Sequence, residues 1–132
     1  MDQVQDIETG ENAILAMAEA AFAGIPASLR QYVGEVVFHI ADFAGAEVLA
    51  DLGMDDPFDL LGLYQGLSLD HKGAGGTPAD VDRIFLYRAP ILEYCRASGE
   101  TPAHVVRHVL IHEIGHHFGL SDEDMERIEA NP

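Results

Sequence analysis

Along residues 11–25, ENAILAMAEAAFAGI, the apolar positions Ile14, Met17, Ala18, Ala21, Phe22 and Ile25 recur every three or four residues. That spacing predicts an amphipathic helix. Pro26 interrupts it and, being tolerated in a first turn, opens a short helix through PASLRQYV. The period then drops to two. In EVVFHIADF, Val36, Phe38 and Ile40 fall on one face and Val37, His39 and Ala41 on the other, which predicts a strand. AEVLADLG predicts a short helix ended by Gly53. LLGLYQGLSL has strand character interrupted by two glycines, which fits an edge strand that receives an extended peptide and equally an irregular edge strand. DHKGAGGTPAD is a glycine-rich loop that lacks the Gly-Lys-Ser/Thr ending of a phosphate-binding loop. DRIFLYRA predicts a further strand, and PILEYCRASG a helix from Pro90 to Gly99. Thr101-Pro102 opens the longest helix, expected over about 102–118 and stopped by Gly119. Ser121 followed by Asp124 reads as a capping box for a final short helix. The order predicts an α+β fold with a short three-stranded sheet packed against helices.

Length and charge narrow the partners. At 132 residues the chain is expected to form a single domain, 1–132, with residues 1–10 a flexible tail. The formal net charge is −16, from 23 acidic residues against 7 Lys and Arg. Such a surface repels phosphates and anionic headgroups, so neither a nucleic acid nor a membrane is expected as a partner. The one cysteine, Cys95, excludes an intramolecular disulfide and suits a reducing compartment. Its place in an amphipathic helix reads as a buried thiol rather than a nucleophile. The acidic N-terminus lacks the basic start and apolar run of a signal peptide, and the expectation is a cytoplasmic protein.

The chemistry concentrates in HVLIHEIGHHFGLSD, residues 108–122. On a helical wheel with His112 at zero, His116 lies at about 40° and Glu113 at about 100°. Two imidazoles one turn apart can hold one zinc ion, and the carboxylate between them can reach a water on that ion. His117 falls at about 140°, in the sector of Val106, Leu110, Ile114 and Phe118, and is expected to be a core histidine. His104 and His108 drift about 40° per step and are expected to rotate away from the site, partly exposed and uncoordinated. His39 and His71 stand alone and are not expected to bind metal, since a lone histidine needs partners. Gly119 can turn the chain in a left-handed conformation and bring the next residues back over the ion. Asp122 is then the candidate third ligand, and it would also favour the first turn of the last helix. The pattern is H-E-x-x-H-x-x-G-x-x-D: His112, Glu113, His116, Gly119, Asp122.

At these residues the chain resembles the Asp-zincins, and more closely the small zincin-like metallopeptidases, or mini-zincins. HEIGHHFGLSDEDM carries the resemblance, with support from LLGLYQG and IFLYRAPILEYC. The resemblance implies a minimal zincin-like fold with a mixed sheet and an active-site helix. It also implies one Zn2+ held by His112, His116 and Asp122, with Glu113 as general base and LLGLYQG as the edge strand beside the cleft. Ten residues follow Asp122, so the far wall of larger zincins is expected to be missing. Tyr64, Tyr87 and Arg88 are the candidates for stabilising an oxyanion.

The expected function is hydrolysis of peptide bonds in a peptide or protein substrate, by a zinc-bound water that Glu113 activates. The alternative is a metal-binding regulatory or partner-binding module with little or no peptidase activity. A purely structural metal site is disfavoured by Glu113, because such a site needs no base and fills its fourth position.

Overall fold

The structure is a computed structural model that describes residues 10–66 and 81–130. All but Gly10 of the expected tail, residues 67–69 of LLGLYQGLSL, the glycine-rich segment 70–80 and His71 lie outside the described residues. The elements are α1 (Glu11–Ala23), α2 (Ala27–Arg30), β1 (Val36–Ala41), α3 (Ala46–Asp51), a 3-10 turn (Pro57–Asp59), β2 (Gly62–Gln65), β3 (Asp82–Tyr87), α4 (Arg88–Ser98), α5 (Pro102–His117) and α6 (Asp122–Ala130). The α+β expectation holds: three strands form one mixed sheet in the order β1-β3-β2. β1 runs parallel to β3, with Val36 opposite Asp82 and Ala41 opposite Tyr87. β2 runs antiparallel to β3, with Gly62 opposite Leu86 and Gln65 opposite Arg83, and occupies an edge.

The hydrophobic periods translate into two clusters. Ile14, Ala18 and Ile25 are buried, and Met17, Ala21 and Phe22 pack against them, as the spacing in α1 predicts. Val36, Phe38 and Ile40 join the same cluster from β1, whereas Ala41 turns to a smaller one around Ala44, Leu60 and Tyr87. No described helix is long and apolar enough to cross a membrane.

Two local features differ from the sequence reading. α4 begins at Arg88 rather than Pro90, so β3 passes into it without a loop. Pro90 then sits in a first turn, where its missing N–H leaves no bond unmade. Residues 57–59 form a 3-10 turn that periodicity is too short to show; Asp56 caps it by accepting from the Phe58 N–H at 2.9 Å.

α5 crosses the centre of the fold. Val105, Val106, Val109, Leu110, Ile111 and Ile114 are all buried, each worth about 1.5–3 kcal/mol if fully removed from water. It lies against α1 and, on another side, against β2. The approach to β2 explains one of the strand glycines: a Cβ on Gly62 would lie 2.6 Å from Val109 Cγ1 and 3.0 Å from the Phe85 carbonyl oxygen. Gly62→Ala is therefore expected to destabilise the protein by about 1–3 kcal/mol, the usual cost of overpacking. Gly34→Ala, with nothing within 4 Å of its Cβ, should stay within about 0.5 kcal/mol. Urea denaturation of the two variants measures the difference; coincident midpoints would contradict the close approach.

Candidate metal centre and base

Both ends of α5 are built by local sequence. Thr101 Oγ1 accepts from the His104 N–H at 3.2 Å, and Pro102 occupies the first turn. At the other end Gly119 adopts φ 76°. The Leu120 N–H reaches the Gly115 carbonyl at 2.8 Å and the Gly119 N–H reaches that of His116 at 3.2 Å. This pair of bonds is a Schellman turn, which satisfies carbonyls that the helix leaves open. It reverses the chain so that α6 runs back along α5. Ser121 Oγ accepts from the Asp124 N–H at 3.1 Å, the N-terminal half of the expected capping box. Met125 then seats over Gly115, and a Cβ there would collide with its side chain.

The reversal brings Asp122 to His116: Oδ1 lies 3.9 Å from Nε2. Both side chains are open, 88% and 59% exposed. His112, one turn earlier, is less exposed, and its ring stands 5.8 Å from that of His116. Its Nε2 faces Glu129 Oε1, near the end of α6. His108 does not rotate away. Its ring lies 4.1 Å from that of His112, and Nδ1 is 3.0 Å from the Glu129 carboxylate. A drift of about 40° over one step still leaves i and i+4 side chains as neighbours on a helix surface. Among the described residues, His108, His112 and Glu129 form a group whose potential ligand atoms all lie within 4.8 Å of one another. α6 thus presents two carboxylates to the histidine ladder, Asp122 at one end and Glu129 two turns on.

The donor chemistry fits zinc. Two imidazoles and a carboxylate are a regular catalytic set, available as His112, His116 and Asp122 from the motif. Glu129 Oε1 is buried between the imidazole nitrogens of His108 and His112. A carboxylate oxygen set between two imidazoles suits a cation that all three can share.

Glu113 points to another side. Burial pushes its carboxyl above the usual carboxylate range, while the nearby His116 and a hydrogen bond from the Tyr64 backbone pull it part of the way back. Tyr64 belongs to β2, so the edge strand itself touches the candidate base. The Tyr64 hydroxyl donates to Asp82 at 2.5 Å, and Asp82 is 3% exposed. Burial raises the Tyr64 pKa, and the Asp82 carboxylate raises it further. The three oxyanion candidates are thereby occupied or buried: Tyr64 is held by Asp82, Tyr87 is buried, and Arg88 pairs with Asp42 at 3.6 Å. Tyr87 is also raised, by burial first and by the charge of Glu113 second.

His117 is not in the core. It is exposed and stacks on Tyr64, ring centroids 4.2 Å apart. The wheel gives its direction correctly, but in the last turn that direction meets Tyr64, which takes the buried place. Cys95 is partly rather than fully buried, and burial raises its thiol above the ordinary value, which disfavours a nucleophilic role. His39 stacks on Phe85 at 4.9 Å. Glu129 was missed by reading α5 alone. A wheel for α6 carries the signal, since Asp122 and Glu129, seven residues apart, fall about 20° from each other.

A buried helix bearing H-E-x-x-H, a glycine turn behind it and a mixed sheet whose edge strand meets the base define a zincin-type architecture. The chain belongs to the zincin-like metallopeptidase family, whose model matches residues 33–131, most of its length. No curated protein matches the chain.

The position of His117 is directly testable. His117→Ala should cost about 0.5–1.5 kcal/mol, the value of one aromatic contact. Removing a core aromatic would cost about 3–5 kcal/mol. A loss of that size in urea denaturation would return His117 to the core.

Proposed function

We propose that this chain is a zinc-dependent metallopeptidase that hydrolyses peptide bonds in a peptide or protein substrate, acting in the cytoplasm as one domain. His112, His116 and Asp122 would hold the zinc ion. When bound, zinc polarises the scissile carbonyl and makes water acidic enough to be deprotonated near neutral pH. The other steps belong to the chain's own residues. Glu113 takes a proton from the attacking water and returns it to the leaving amine as the carbon–nitrogen bond breaks. A carboxyl raised by burial is better matched to both transfers than an exposed one. The Tyr64 backbone hydrogen bond keeps it aimed. β2, at the sheet edge, offers backbone groups along which an extended substrate can pair.

The observation that carries this reading is the placement of Glu113. It is partly buried beside the histidine ladder, and it stands apart from the carboxylates that face those histidines, Asp122 and Glu129. A structural metal site has no use for such a group. The competing reading, a metal-binding regulatory or partner-binding module, draws on a different observation. Tyr64, Tyr87 and Arg88 are held or buried, so the side chain that would steady an oxyanion is not evident among them.

Glu113→Gln separates the two. It should keep its zinc and lose about 100- to 10,000-fold in turnover of a peptide library, the usual worth of a general base. Equal inactivity of wild type and variant at matched zinc content would favour the module. Asp122→Ala should weaken zinc binding at least about tenfold, since even an outer partner of a ligand is worth that much. Unchanged affinity in a chelator competition would remove Asp122 from the ligand set.

A further inference from the structure

We propose that His108, His112 and Glu129 form a second position for a divalent transition-metal ion, one that competes with the motif position for His112. The inference rests on the reading of His112 as a metal ligand and adds two residues, His108 and Glu129, to which the H-E-x-x-H pattern gives no role. Three observations meet there. The potential ligand atoms of the trio lie within 4.8 Å of one another, with His108 Nδ1 3.0 Å from the Glu129 carboxylate. Glu129 Oε1 is buried and faces the imidazole nitrogens of both His108 and His112. The backbone that carries Glu129 is also held in place. Arg107, on α5, donates to the backbone carbonyls of Glu129 at 3.1 Å and Ile128 at 3.3 Å. Ile128 and Met125 anchor the same helix in the core. A ligand whose helix is pinned in this way loses little freedom when it binds an ion.

The donor set decides the class of ion. Two imidazoles and one carboxylate suit zinc, cobalt or nickel, whereas calcium and magnesium prefer oxygen donors throughout. The two positions exclude each other at His112, because a neutral imidazole has a single nitrogen lone pair to give. An ion at the upper position takes His112 away from His116 and Asp122. Loading of the motif position and occupation of the upper one are therefore antagonistic, and Glu129 sets the balance between them.

The test is titration of the metal-free full-length chain with cobalt(II), read by absorption and by chelator competition. His116→Ala breaks the motif position and leaves the upper trio whole; His116 is exposed, so the variant should fold, as a thermal melt will check. The expected result is that His116→Ala still binds one cobalt ion. Adding Glu129→Gln or, separately, His108→Ala then weakens that binding by at least about 100-fold, the upper end of what loss of an outer partner costs. In the otherwise wild-type chain, Glu129→Gln should still bind one ion through the motif position. The proposal is overturned if His116→Ala binds no cobalt, or if neither added substitution changes its affinity. It is also overturned if Glu129→Gln alone strips the ion from the chain, which would mean one site built around Glu129. These titrations read ion binding alone, whereas Glu113→Gln reads turnover, so the peptidase reading and the second position fail on separate results.

Discussion

The aliphatic face of α5 is the constraint from which the rest follows. Val105, Val106, Val109, Leu110, Ile111 and Ile114 are taken out of water against α1, the sheet and the neighbouring helices. Several buried side chains at about 1.5–3 kcal/mol each outweigh the roughly 1 kcal/mol that Gly115 costs a helix interior. The helix can therefore carry a glycine and a row of histidines without losing its position. Because the buried face is fixed, the rotation of the opposite face is fixed with it. His108, His112 and His116 then stand in a row, and Glu113 is turned toward β2.

The glycine at 115 repays this tolerance by admitting Met125. The Schellman turn at Gly119 sends the chain back, and Met125 and Ile128 lock α6 along α5. The acidic helix then presents Asp122 and Glu129 to the histidines at the two ends of its run. Carboxylates and imidazoles are brought together by hydrophobic packing rather than by their own attraction, which even for an exposed ion pair is worth only about 0–1 kcal/mol. The chemistry at the surface is in this sense a product of core packing.

Periodicity made much of this legible. The apolar positions of α1, the alternation of β1, the caps of α5 and the turn at Gly119 all follow from local physics, and each is where its pattern places it. The three-stranded sheet followed from periodicity too and its mixed character from the family resemblance, whereas the spatial order β1-β3-β2 did not follow from either. What stayed hidden required a partner from elsewhere in the chain. Glu129 acquires meaning only when α6 lies on α5. Asp82 becomes a buried acceptor only when Tyr64 of the neighbouring strand donates to it. His117 points as the wheel says, yet burial in a last turn depends on what stands opposite, and there the Tyr64 ring fills the space. An angle of about 40° does not take His108 away from His112, because adjacent turns of a helix tolerate that much. The residues that hold chemistry were thus easier to find than the contacts that assign them.

The measurement that goes most directly to the peptidase reading is mass-spectrometric detection of cleavage in an unbiased peptide library. The zinc-loaded chain is assayed as purified, after a chelator, and after zinc is restored. The expected result is peptide-bond hydrolysis that disappears with the chelator and returns with zinc. A fully zinc-loaded, folded chain that leaves every peptide intact, or cleavage indifferent to the chelator, would contradict it.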